Sequence, residues 1–97
     1  MSIESQVKIA NVCDEIKQLL LEKNCKYGDS ALNPVRVMSK ASAEEQILVR
    51  IDDKLSRLQR GDPNLEDEDV ISDLIGYLIL LKVARTNDYD DQKTILT

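Results

Sequence analysis

One segment near the carboxyl end of the chain constrains the fold more than any other. From Val70 to Ala84 apolar side chains occupy most positions, and the only charged residues are Asp73 and Lys82. A helix that is apolar on nearly every face must be enclosed by other helices, and this one is shorter than the roughly 20 residues that a membrane span needs. The sequence therefore predicts a central, buried helix and no membrane association.

Two amphipathic helices precede this segment. Over 3–24 apolar residues recur every three or four positions, which is typical of a helix with one buried stripe. A capping box that begins at Ser42 predicts a second helix over 42–60, and Gly61 supplies its end. The third helix is predicted over 64–86, with acidic residues in its opening turns. No strand pattern occurs, so the expected fold class is all-α.

The length of the chain limits what these helices can bury. A chain of 97 residues forms one domain at most, here a single helical domain over 1–86 with a polar tail over 87–97. The connection over 25–41 is longer than an ordinary loop and holds apolar anchors, so we expect it to be folded. Two partner helices cannot cover the third. We therefore expect a three-helix protomer that assembles into an oligomeric helical bundle through helix 3, where Gly76 allows a close helix approach.

The composition excludes several kinds of chemistry. The chain has no histidine, which removes Ser-His and Cys-His nucleophilic catalysis and histidine zinc sites. Its net charge of -5 repels a phosphate backbone, so we do not expect nucleic-acid binding. Cys13 and Cys25 are predicted to be free thiols in a reducing compartment. The first residues do not form a targeting segment, and the expected location is the cytoplasm.

A basic stripe on helix 2 is the first candidate site. Arg50, Lys54 and Arg57 share one helix face beside the apolar seam. On a net-acidic chain, such a stripe along a groove between helices suits a phosphate, because arginine offers a bidentate fork and lysine a point charge. The alternative is a ladder of salt bridges with Asp53 and neighbouring acids.

The turn that follows helix 1 is the second candidate site. The segment from Lys23 to Ser30 combines the ring of Tyr27, two lysines, small polar donors and Gly28, which permits close backbone approach. These features can hold a base and its phosphate. The alternative is a helix end with its turn and no ligand.

A stripe of acids on helix 3 is the third candidate site. Glu66, Asp69 and Asp73 are spaced by three and four residues, hence on one face. The stripe enters the apolar segment, so we expect Asp73 to be at least half buried, where a carboxylate needs a cation, a metal or hydrogen-bond donors. Oxygen ligands of this type, with Asp53 added, suit magnesium. The alternative is that Asp73 pairs with an arginine or lysine of helix 2.

Three runs carry a resemblance to a known family: EKNCKYGDSALNPVRVMSK, VRIDDKLSRL and EDEDVISDLIGYLILL, in this order between about Leu19 and Ala84. They resemble the nucleotide-modification-associated domain family, type 1, small helical proteins of phages and their hosts that look like relatives of the MazG-like all-α nucleoside triphosphate pyrophosphohydrolases. The resemblance implies an oligomeric helical bundle with nucleotide sites between helices. In the wider superfamily magnesium is bound by an ExxE pair on one helix and an ExxD pair on the next. This chain has the second spacing in Glu66 and Asp69 but no ExxE on helix 2.

Three functions follow from these features. The first is a phage-type binding protein that holds a phosphorylated nucleotide between helices without a cofactor, for nucleotide modification or to sequester a defence signal in the host cytoplasm. The second is a magnesium-dependent nucleoside triphosphate pyrophosphohydrolase, with the metal on Asp53, Glu66, Asp69 and Asp73. The third is a protein-interaction module. The incomplete acidic set and the added cations favour binding.

The predicted ligand-binding residues come from the turn and its following segment and from the basic stripe. They are Lys23, Asn24, Tyr27, Gly28, Asp29, Ser30, Lys40, Arg50, Lys54 and Arg57.

Overall fold

The computed structural model describes residues 2–61 and 69–96, and it places the side chains of 2–61 and 69–86. Along these residues the backbone forms three helices, α1 (Ile3–Lys26), α2 (Ala43–Arg60) and α3 (Val70–Leu96), and no strand. The predicted all-α fold class is therefore confirmed. No helix among the described residues combines the length and the apolar character required to cross a bilayer.

The helix boundaries follow from local capping chemistry. Each helix is preceded by a residue whose side-chain oxygen accepts a hydrogen bond from a backbone N–H in the first turn. The pairs are Ser2 with Ser5, Ser42 with Glu45 and Asp69 with Ser72, at 3.1, 3.1 and 3.0 Å. Gly61 ends α2 in the left-handed conformation, at φ 63°, and its N–H bonds to carbonyls of the last turn. The predicted start and end of helix 2 are thus confirmed.

Helix α2 lies antiparallel to α3. Near the start of α2, Arg85 Nε donates to Glu44 Oε1 at 2.6 Å, and towards its end Lys54 Nζ lies 3.5 Å from Asp73 Oδ2. Between these two ion pairs, a core forms from buried and partly buried apolar side chains. The buried members are Ile47, Ile51, Leu81 and Ala84, and the partly buried ones are Leu32, Leu48, Leu74, Tyr77 and Leu80. Full burial of a residue such as isoleucine contributes about 1.5–3 kcal/mol, so this pairing anchors the fold.

Helix α1 also runs antiparallel to α3, and it is therefore parallel to α2. Lys23 lies beside Asp73, while Leu20, one turn earlier, lies beside Gly76. The predicted close approach at Gly76 is thus a contact between two helices of one chain, and not the interchain contact that we expected. The reason is that the small residue faces α1 on the same side of α3 as Asp73.

The connection between α1 and α2 carries the chain back to the other end of α3. Leu32 from this segment packs against the core, which confirms that the connection has an apolar anchor. Other apolar residues of the connection, among them Val35, Val37 and Met38, are exposed. The segment is therefore anchored in its first half, next to the end of α1.

The described helix ends differ from the predicted ones in two places. α1 continues to Lys26, two residues past the expected end, because the turn chemistry begins only at Tyr27. α3 continues to Leu96 and includes most of the segment predicted as a polar tail. That segment has no proline or glycine, and adding a residue to an existing helix costs far less than nucleating one. The predicted first turn of helix 3, at 64–68, lies outside the described residues.

Only the carboxyl-terminal half of α1 is packed. Residues 2–15 are all exposed, and the first buried side chain is that of Ile16. The predicted apolar stripe over the full helix is therefore buried in part. Ile3 and Val7 at its start remain open to solvent.

Candidate functional site

The three helices enclose a cleft of about 480 Å³ beside the end of α1. Six of the predicted ligand-binding residues line it: Lys23, Asn24, Tyr27, Asp29, Ser30 and Arg50. The volume falls in the range of sites that hold one small organic ligand. The structure thus brings the turn after helix 1 and the basic stripe of helix 2, two separate segments of the sequence, to one surface.

Asp29 organises the turn that lines the cleft. Its carboxylate accepts hydrogen bonds from the side-chain amides of Asn24 at 2.6 Å and Asn33 at 2.5 Å. Its backbone carbonyl accepts the N–H of Asn33 at 2.9 Å. Asp29 also adopts a left-handed conformation, at φ 63°, which aspartate tolerates better than most residues. Asp29 lines the cleft and stays a predicted ligand-binding residue, and these contacts show that it also fixes the shape of the turn.

Tyr27 and Gly28 have different roles in the turn. Tyr27 lies at the carboxyl cap of α1, lines the cleft and is exposed, with Lys26 Nζ 5.4 Å from the centre of its ring. Gly28 does not line the cleft. A Cβ at position 28 would meet nothing within 4 Å, so lack of space does not explain the glycine. Its positive φ of 64° does, because residues with a side chain rarely adopt that conformation. The backbone conformation therefore requires glycine here, and the close approach of a ligand to Gly28 stays a prediction.

Asp73, which lines the cleft, joins the three helices. Its Oδ1 lies 3.5 Å from Lys23 Nζ of α1, and its Oδ2 lies 3.5 Å from Lys54 Nζ of α2. The Asp73 side chain is 22% exposed and that of Lys54 is 12% exposed. The prediction that Asp73 is at least half buried, and the alternative that it pairs with a cation of helix 2, are both confirmed. Half-buried charges of opposite sign are less screened by solvent than surface pairs.

The three residues of the basic stripe of α2 differ in their contact with the cleft. Arg50 lines the cleft, Lys54 contacts the lining residue Asp73, and Arg57 does not line the cleft. Arg50 and Arg57 are seven residues apart, about 10 Å along a helix axis. Lys40, which is exposed in the connection, does not line the cleft either.

Within the described residues, the acids predicted to bind magnesium do not lie together. Asp69 caps α3, with Oδ1 3.0 Å from the Ser72 N–H and Oδ2 2.5 Å from the Ser72 hydroxyl. The hydrogen bond from the Ser72 hydroxyl, followed by that from its N–H, lowers the pKa of Asp69. Asp53 is exposed on α2 and outside the cleft lining. Glu66 lies outside the described residues. Among the side chains described, no group of three or more cysteines or acids is arranged to hold a metal ion.

Nine cleft residues were not predicted as site residues from the sequence. They are Leu19, Leu20, Ala31, Gln46, Ile47, Ser72, Gly76, Tyr77 and Leu80. Tyr77 follows Asp73 by four residues, so the helical spacing already placed it on the same face. Gln46 lies in the first turn of α2, where its side-chain amide donates to the Ala41 carbonyl at 3.0 Å, and no sequence pattern distinguished it.

Comparisons of the chain with known protein families, with curated proteins and with solved structures returned no match.

Proposed function

We propose that the cleft between the three helices binds a phosphorylated nucleotide. The observation that carries this proposal is that Lys23 and Tyr27, at the end of α1, line the same cleft as Arg50 of α2. An aromatic ring and two cations around one cavity are the groups that recognise a base and a phosphate.

The groups of the cleft divide between the two ends of such a ligand. Arg50 and Lys23 are the donors for the phosphate, since both are charged and accessible. Tyr27 and Tyr77 supply aromatic faces for the base. The side chains of Asn24 and Gln46 offer amide donors and acceptors for the edge of the base.

Retention of the nucleotide is favoured over its hydrolysis. The oxygens of Asp73 each lie near a lysine, and those of Asp69 accept hydrogen bonds from Ser72. A carboxylate that already pairs with two ammonium groups is a weaker candidate for magnesium than one facing open solvent or a second acid. A binding protein of this kind would sequester a nucleotide, or hold one for modification, in the cytoplasm where nucleotides are made, and in a host cytoplasm if a phage encodes it.

The outer face of α3 supports a homo-oligomer. Ile71 and Leu78 are 63% and 45% exposed, and Val83 is also exposed. Ile71 and Leu78 are seven residues apart, so they share one face of the helix. Apolar residues in this arrangement favour association with a second copy through α3.

Incubation with a nucleotide library, with and without magnesium, followed by mass analysis of released ligand, tests the function. Intact retention is the expected result; turnover would identify an enzyme, and no retention would identify an interaction module. Arg50→Ala should weaken binding by about 1.5–3 kcal/mol, the range for a charge-assisted hydrogen bond. Arg36→Ala is the matched control, since Arg36 is exposed in the connection and does not line the cleft. An equal loss in both variants would contradict the assignment of Arg50.

A further inference from the structure

We propose that the nucleotide bound in this cleft carries a single phosphate group, and that Asp73 sets this preference. This inference rests on the proposed function and names the class of ligand for the same site. It follows from the balance of charge around the cleft, from the position of Asp73 and from the size of the cavity.

The charges that line the cleft nearly cancel. Lys23 and Arg50 are its lining cations, and Asp29 and Asp73 are its lining carboxylates. Lys54 adds one cation behind Asp73, at 3.5 Å from its Oδ2. The described side chains therefore offer a surplus of no more than one positive charge. A phosphate monoester carries about 1.5–2 negative charges at neutral pH and is close to this balance. Each further phosphate brings negative charge that no described lining residue offsets.

The negative charge of Asp73 lies close to Lys23, one of the two cations proposed to bind the phosphate. Lys23 Nζ is 3.5 Å from Asp73 Oδ1, so a phosphate oxygen at about 2.8 Å from that ammonium lies within about 6.5 Å of the carboxylate. Asp73 is half buried, which leaves its charge less screened by solvent than that of an exposed residue. Each added phosphate brings more negative charge into the cleft that Asp73 lines, and a single phosphate brings the least.

The cavity volume agrees with a ligand of this size. About 480 Å³ lies in the lower half of the range for small-molecule sites. A base, a sugar and one phosphate make a small organic ligand of the kind that sites in this range hold.

The test is the affinity for mono-, di- and triphosphates of the common ribo- and deoxyribonucleosides, measured by titration calorimetry with a chelator present. For the nucleoside that binds best, we expect the monophosphate to bind at least about tenfold more tightly than the triphosphate. Asp73→Asn should reduce this ratio at least about threefold, mainly by raising triphosphate affinity. Asp52→Asn, an exposed acid outside the cleft lining, should leave it unchanged.

The outcomes separate the two proposals. If no nucleotide of any kind binds, the proposed function fails and this inference fails with it. If nucleotides bind but the triphosphate binds as tightly as the monophosphate without a divalent cation, the inference alone is wrong. Because Asp73→Asn removes the partner of two lysines, its fold is checked by circular dichroism. Lys23→Gln provides a second variant that retains Asp73, and it should widen the preference for the monophosphate.

Discussion

Gly76 of α3 lies against Leu20 of α1, so that a Cβ at position 76 would stand 3.1 Å from Leu20 Cδ2. This distance is shorter than an ordinary carbon contact. One turn away, Asp73 and Lys23 form an ion pair, and all four residues line the cleft. The close approach of α1 and α3 at Gly76 therefore lies within the wall of the cleft.

Substitutions at Gly76 should depend steeply on size. In Gly76→Ala the gain in helix propensity, about 1 kcal/mol, offsets the tight contact with the partly exposed Leu20, so stability should change by less than about 1 kcal/mol. Gly76→Leu has no such space and should cost about 1–3 kcal/mol in the free energy of unfolding. Urea denaturation of both variants measures this difference. A Gly76→Leu variant as stable as wild type would show that α1 is not packed here.

Removing the Asp29 carboxylate should impair binding more than stability. Asp29→Ala removes the acceptor for Asn24 and Asn33 and places alanine at φ 63°. We expect nucleotide affinity to fall about tenfold or more, because the turn that presents Tyr27 loses its fixed shape. Asp29→Gly separates the causes, since glycine accepts this φ without strain. Full affinity in Asp29→Gly would assign the effect to the backbone and contradict a role for the carboxylate.

The lowered pKa of Asp69 predicts a pH dependence of stability. Because its pKa is lower in the folded chain than in the unfolded chain, the unfolded state binds a proton first as the pH falls. The contribution of Asp69 is therefore complete above the unfolded value, near pH 4, and is lost as the pH falls through the folded value. Asp69→Asn keeps a capping side chain without the charge. The stability difference between wild type and this variant should shrink in acid, as measured by thermal unfolding between pH 7 and pH 2.

Leu78→Asp should dissociate the proposed oligomer. Leu78 is 45% exposed in the single chain, so an aspartate there is solvated in the protomer but becomes an unpaired charge in an apolar interface. Light scattering should show a smaller particle, while circular dichroism should show retained helix. Val49→Asp, at an exposed position of α2, is the control. A wild-type chain that is already a monomer would remove the basis of this prediction.

The parts of the fold that were predicted correctly depend on local chemistry. Ser42 and Gly61 mark the ends of α2, because capping and left-handed turns involve only neighbouring residues. The partner of Gly76 and the exposure of the first half of α1 depend on which helices meet, and periodicity along one helix does not contain that information.

The same distinction applies to the candidate site. The turn with Tyr27 and the stripe with Arg50 were identified from residue type and spacing, and the structure places both on one cleft. Arg57 shares the helix face of Arg50 but not its position along the axis. Asp69 precedes Asp73 by four residues and was predicted to share its face of helix 3. It caps α3, because an acid directly before a helix accepts hydrogen bonds from the backbone of the first turn.

The burial of α1 only from Ile16 onward gives one continuous helix two different stabilities. An isolated helical segment of this length is marginal in water, so the backbone hydrogen bonds of its first turns open without disturbing the core. Amide protons near Val7 should therefore exchange with deuterium orders of magnitude faster than those near Leu20. If a second copy of the chain covers this half of the helix, the contrast in exchange rate along α1 will decrease as the protein concentration rises.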